Sequence, residues 1–159
     1  MQNTSEQLVK TIEQALPLLQ KITEQQASVK PASDKWSQKE IIGHLIDSAN
    51  NNVQKFVRTM AEDGVRFIPY EQDSWVSGQH FNEEAWEQLL AVWASTNYHI
   101  AHIMKHIPAS TLKHSIYIGD KGPYTLEFIV KDYNEHLKHH LLQIFPGEGF
   151  LKNSFEMVY

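Results

Sequence analysis

Hydrophobic positions recur every three or four residues along most of the chain, the spacing of helices that bury one face. Leu8, Ile12, Ala15, Leu19 and Ile22 follow this rule, so a first helix, capped by Asn3 or Thr4, is expected to run toward Ala27. Pro17 falls inside it and predicts a kink or a break, because proline lacks an N–H and clashes with the preceding turn. Residues 27–34 read as a loop. Ser37-Gln38-Lys39-Glu40 then matches a capping box, and Trp36 with Ile41 has the spacing of a hydrophobic staple. A second helix is expected from there to about Glu62, stopping near Gly64.

From Asp63 to His80 no period holds, yet Phe67, Tyr70 and Trp75 lie there, which argues for an ordered loop packed against the domain. Asn82, followed by Glu83 and Glu84, is expected to cap a third helix that ends before Pro108. Ser115 to Ile118, ahead of Gly119-Asp120-Lys121-Gly122, predicts a short strand or hairpin. Thr125 caps a last helix from Leu126 to Phe145, stopped by Pro146-Gly147. The tail to Tyr159 is too irregular to assign. Four main helices with loops of mixed length predict an all-α four-helix bundle, one domain over residues 1–159.

Composition narrows the chemistry. At 159 residues, 42% hydrophobic and with four tryptophans, the chain can bury a core without staples. It has no cysteine, so any metal must rely on His, Asp, Glu and water. A net charge of −5 argues against a nucleic-acid footprint. The first residues lack the regions of a signal peptide, and no run of about 18 apolar residues occurs, so a soluble cytoplasmic protein without a membrane partner is expected.

The candidate chemistry lies among nine histidines. On the last helix Leu126, Val130, Tyr133, Leu137, Leu141 and Ile144 form the apolar face. His136 and His140 flank one side of it, about 40° apart. His139 projects elsewhere, beside Asp132 and Phe128. A pair at i and i+4 stacks on successive turns and can chelate one ion; the plainer alternative is two boundary histidines bonded to neighbouring polar groups or water. His44 lies off the apolar centre of the second helix, with Ile41, Ser48 and Lys55 as wheel neighbours. Periodicity alone favours a solvated His44. His99, His102 and His106 share a stripe opposite Trp86, Leu90 and Trp93, the pattern of a solvated face. Asp47 and Asp73 read as structural or ligand-orienting carboxylates. No Ser/His/Asp arrangement, phosphate loop or paired carboxylate motif occurs.

Trp36-Ser37-Gln38-Lys39-Glu40-Ile41-Ile42-Gly43-His44-Leu45-Ile46-Asp47-Ser48 resembles the second-helix motif of the DinB-like superfamily. Asn134-Glu135-His136-Leu137-Lys138-His139-His140 resembles the last-helix motif of its YfiT-like branch, the bacillithiol S-transferase-like metal-dependent hydrolases. Phe67-Ile68-Pro69-Tyr70-Glu71-Gln72-Asp73-Ser74-Trp75 is similar to that branch's loop. The resemblance implies a four-helix bundle with a divalent transition metal, zinc or nickel, held by His44, His136 and His140, with coordination positions left open to water.

It also implies transfer of a low-molecular-weight thiol to an electrophilic small molecule, or hydrolysis of a related substrate, and a possible homodimer. Asp47 matches an acidic position that orients a ligand or solvent, and Tyr70 and Trp75 are expected to line the cleft. The contrasting expectation is a non-catalytic metal- or ligand-binding stress protein on the same bundle. The chain departs from the branch at Asn134-Glu135, where an aromatic is usual, and at Leu137-Lys138, where basic residues are common.

Overall fold

The computed structural model describes residues 1–152; the last seven residues of the tail lie outside them. Four long helices form the body: α1 (Gln2–Leu19), α3 (Gln38–Ala61), α5 (Trp86–Lys105) and α6 (Leu126–Ile144). Shorter elements are α2 (Glu24–Ser28), β1 (Val65–Phe67), α4 (Gln72–Gly78), β2 (Ser115–Ile118) and β3 (Lys121–Thr125). Helices α1 and α3 each pack against α5 and α6. The core follows from the apolar stripes, with Trp93, Phe56, Ile42, Leu45, Tyr133 and Leu137 all nearly inaccessible to solvent.

One polar pair inside this core links two helices. The Tyr133 hydroxyl donates to Asn97 Oδ1 at 2.6 Å, and Asn97 Nδ2 donates to the Trp93 carbonyl at 2.8 Å. Such pairing is what makes polar burial tolerable.

The capping box of α3 forms in both directions. Glu40 N–H donates to Ser37 Oγ at 3.2 Å, and Ser37 N–H donates to Glu40 Oε2 at 2.8 Å. Thr125 likewise caps α6, accepting from Phe128 N–H at 3.1 Å. Both starts are local signals that tertiary packing leaves untouched.

Three helix limits differ from expectation. Helix α1 begins at Gln2 without a side-chain cap, so Asn3 and Thr4 lie inside its first turn and neither caps it. The first helix stops at Leu19, two residues after Pro17, and Thr23 begins the separate α2 with its own capping box to Gln26. A strong new N-cap four residues past the helix end outcompetes continuation. Asn82 does not cap α5. It lies in a one-turn 3₁₀ segment, Phe81–Glu83. There its Oδ1 accepts from the Ser37 hydroxyl at 2.8 Å and its Nδ2 donates to the Ser28 carbonyl at 3.2 Å. The first N–H of α5, on Trp86, goes instead to Glu24 Oε2 at 2.8 Å.

The all-α expectation holds for the bundle and fails for a small sheet of order β1-β2-β3. Strand β1 pairs parallel with β2, Val65 against Ile116 and Phe67 against Ile118. Strand β2 pairs antiparallel with β3, completing the expected hairpin. The sheet joins the end of α3 to the start of α6, so these helices run antiparallel past one another. That arrangement sets the first half of α3 against the second half of α6. The long segment after α3 is therefore β1 followed by α4, and not plain loop.

Candidate metal centre

Helix α6 places His136 and His140 on one side, one turn apart, as the four-residue spacing requires. Helix α3 brings His44 between them. Its ring centroid lies 5.2 Å from that of His136 and 4.5 Å from that of His140. Each of the three offers a ring nitrogen within 4.8 Å of the others'. Among the described residues, this is the one place where three such groups converge.

All three are buried: His44 is 2% exposed, His136 7% and His140 9%. The solvated His44 expected from the helical wheel is thus corrected. Residues 39–49 of α3 are buried on nearly every side, because α2, the 3₁₀ turn and α4 wrap the first half of the helix. A single-face wheel does not capture a helix covered from three directions.

The donor set fits a metal ion. His44 Nε2 and His136 Nε2 are 3.3 Å apart. Two nitrogens about 2.0–2.1 Å from one tetrahedral zinc are separated by roughly 3.3–3.4 Å. The two Nε2 atoms face each other rather than a carbonyl or carboxylate, and Nδ1 of His44 and of His140 make no hydrogen bond.

Burial holds all three rings in the neutral form that ligates metals. Desolvation lowers His44 to about 4, with the charge of Asp73 opposing it. Desolvation and the neighbouring His44 and His139 lower His140 to about 3. His136 is held well below the usual histidine range, by burial first and then by the flanking histidines and Lys55.

These shifts carry a sign for stability. Above about pH 6.5, the ordinary histidine value, folded and unfolded chains both hold neutral rings. As pH falls toward 4 the unfolded chain takes up protons that folded His44 and His140 resist, so stability is lost through that window. The Tm of metal-free protein is expected to fall between pH 6.5 and 4, and to fall less in His44→Ala. Equal slopes in the two proteins would show that His44 is not buried as described.

The groups around the triad are partly those expected. The residue that touches a ligand histidine is Ser48, whose Oγ lies 3.3 Å from His136 Nδ1. Asn52 Nδ2 steadies Ser48 through its carbonyl at 2.8 Å and its hydroxyl at 3.4 Å. The helical spacing of His44 and Ser48 was available as a signal for this contact. Metal-bound histidines are commonly oriented in this way. Ser48→Ala is expected to weaken zinc binding about 10-fold, measured by chelator competition, with the fold unchanged.

Asp47 is buried, and burial raises its carboxyl pKa against the hydrogen bond from Gln79. Its Oδ1 accepts from Gln79 Nε2 at 2.8 Å, so the contact seen is to the end of α4 and not to a histidine ring.

The triad opens onto a cleft of about 600 Å³. One wall is Ser48, Asn51 and Lys55 of α3; the other is the more apolar Phe67, Ile68 and Tyr70. Tyr70 is thus one of the residues lining the cleft. Trp75 does not reach this cleft: its ring packs on Tyr70 at 4.8 Å, and it is 45% exposed. Burial, then the Asp47 charge, pushes the Tyr70 phenol up to about 12, so it stays protonated. Trp36 covers the far side of the site, 5.0 Å from the His44 ring and 6.3 Å from that of His140.

His139, set aside on the wheel, is exposed at the cleft mouth beside His140. His99, His102 and His106 are exposed, as the pattern of α5 implies. The unusual Asn134 donates to the Thr4 carbonyl of α1 at 2.8 Å, and Glu135 pairs with Lys138; neither Asn134 nor Glu135 lines the cleft. A groove of about 710 Å³ between α1 and α5 is larger. It holds no cluster of ligating groups and lies away from the histidines.

The fold is similar to that of YfiT from Bacillus subtilis, described as a probable metal-dependent hydrolase with an unusual four-helix bundle topology. The TM-score is 0.80 at 20% identity, over 91% of this chain and 84% of that one. Among curated proteins, none matches the sequence. Residues 7–144 match the DinB superfamily, a span that includes most of α1, the other three long helices and the three converging histidines, and the chain belongs to that superfamily.

Proposed function

We propose that the protein is a metal-dependent enzyme that transfers a low-molecular-weight thiol to an electrophilic small molecule. The observation that carries this is the convergence of three buried neutral imidazoles beside a cleft sized for small molecules. Three protein ligands leave coordination positions open, the arrangement of catalytic and not structural sites. A zinc or nickel ion there would supply the positive charge that lowers the pKa of a coordinating thiol or water toward neutral pH.

The chain's own residues do the rest. His44, His136 and His140 hold the ion, and Ser48 fixes the orientation of His136. Trp36 shields the rings of His44 and His140 on one side. Tyr70 keeps its proton and can donate a hydrogen bond to an electrophile in the cleft. Asp47 Oδ1 accepts from Gln79 while its Oδ2 is buried without a hydrogen-bond partner. A thiol that ionises on binding a metal needs no general base, so the transfer reading does not depend on that carboxylate. Consumption of a free thiol belongs in a reducing compartment, which places the activity in the cytoplasm.

Hydrolysis is the second reading, favoured by the description of YfiT. Zinc- and nickel-loaded protein, assayed with a chromogenic electrophile and a thiol panel and separately with ester and amide substrates, separates the two. Thiol-dependent turnover abolished by chelation supports transfer. Thiol-independent turnover of an ester or amide supports hydrolysis. Full metal occupancy without turnover in either assay supports a binding module.

A further inference from the structure

The two lysines of α3 differ in how their ammonium groups are held. Lys39 is 1% exposed and fully engaged, with Glu24 and with the carbonyls of Asn82 and Glu84. Lys55 is half-buried on the cleft wall. Among the described residues it makes no hydrogen bond or ion pair; desolvation lowers its pKa and the charge of Asp132 opposes that shift. A partly desolvated cation without a close partner is less favourable than one in open water. It is doubly so here, because its charge reaches His136 and opposes the binding of a divalent cation.

We propose that Lys55 is the anchor of an anion subsite, and that the ligand of this cleft carries an oxyanion, a carboxylate or phosphate, at the end remote from the histidines. His44, Ser48 and Lys55 share one stripe of α3, since 11 residues return almost to the same face of a helix. The helix rises about 16 Å between His44 and Lys55, and a side chain on a helix leans toward the N-terminus, so Lys55 reaches back toward the triad. A small molecule lying along α3 thus meets the histidines at one end and the ammonium at the other. Phe67 and Ile118 line the opposite side and favour an apolar middle. The overall charge of −5 gives anions no general attraction, so discrimination rests on this residue.

The inference rests on the cleft being the substrate site, and the test separates the two. Metal-free and zinc-loaded protein, wild type, Lys55→Met and Lys55→Arg, are titrated with 3-mercaptopropionate and with its neutral amide, followed by NMR shifts and calorimetry. The wild type is expected to prefer the anion about 10-fold, the ratio typical of one charge-assisted contact. Lys55→Met removes the preference and leaves amide affinity and zinc content unchanged; Lys55→Arg keeps most of it. Competition by inorganic phosphate would mark the subsite as open to phosphate as well as carboxylate.

Equal binding of acid and amide by the wild type, or an undiminished preference in Lys55→Met, overturns the inference. Failure of the wild type to take up zinc overturns the metal reading instead, and the metal-free titration still decides the role of Lys55.

Discussion

Replacing His136 with alanine is expected to lower zinc or nickel affinity by more than about 10²-fold, beyond the loss typical of removing a group that merely orients a ligand. His44→Ala and His140→Ala should do the same, because each supplies one of three donors. Loss of the fold is not the expected cause. His44 Nδ1 and His140 Nδ1 are buried without partners, so the metal-free protein gains little from these rings. Metal-free variants are expected to unfold within a few degrees of the wild type, while the metal-loaded wild type gains stability by mass action that the variants lack. Equilibrium dialysis with thermal melts, run with and without metal, checks both halves. A large drop in Tm without any change in metal binding would mark the histidines as core groups.

The second large effect concerns Gly43, the residue before His44. A methyl group at its Cα would lie 2.1 Å from Cδ2, 2.3 Å from Cγ and 2.6 Å from Cε2 of Phe81. Phe81 is itself buried and its ring is rigid, so the contact cannot be relieved by a flexible chain end. Helix propensity favours alanine over glycine by about 1 kcal/mol. Overpacking works against it and reaches about 3 kcal/mol when the ring and its turn must move. Gly43→Ala is therefore expected to lose about 2 kcal/mol net, a drop in Tm of roughly 4–8 °C for a chain of this length. Compensation by Phe81→Leu, which makes room, would tie the loss to this contact. A Gly43→Ala protein as stable as wild type would show that the 3₁₀ turn does not seat on α3 as described.

Residue by residue, legibility follows how local each signal is. The caps at Ser37 and Thr125 are written within four residues and were readable as such. So was the pairing of His136 with His140, which needs only the period of one helix. His44 was not, because its burial comes from α2, the 3₁₀ turn and α4 closing over α3, contacts that no wheel contains; its place beside the others was indicated by resemblance alone. Strand β1 is three residues long, and its partner lies about fifty residues away, so no local pattern marks it. Asn82 carried the right chemistry for a cap and spent it on Ser37 and Ser28. Ser48 was visible as a neighbour of His44 on the wheel, but its contact with His136 depends on how α3 meets α6. The free ammonium of Lys55 is recognisable only beside the fully engaged one of Lys39.

The central claim is that His44, His136 and His140 hold one divalent ion. The most direct test is anomalous diffraction at the zinc edge from crystals of zinc-loaded protein. One peak is expected, about 2.0–2.1 Å from a ring nitrogen of each of the three histidines, with non-protein oxygen completing the sphere. No peak there at saturating zinc, or a peak only on the exposed His102 and His106 of α5, would contradict it.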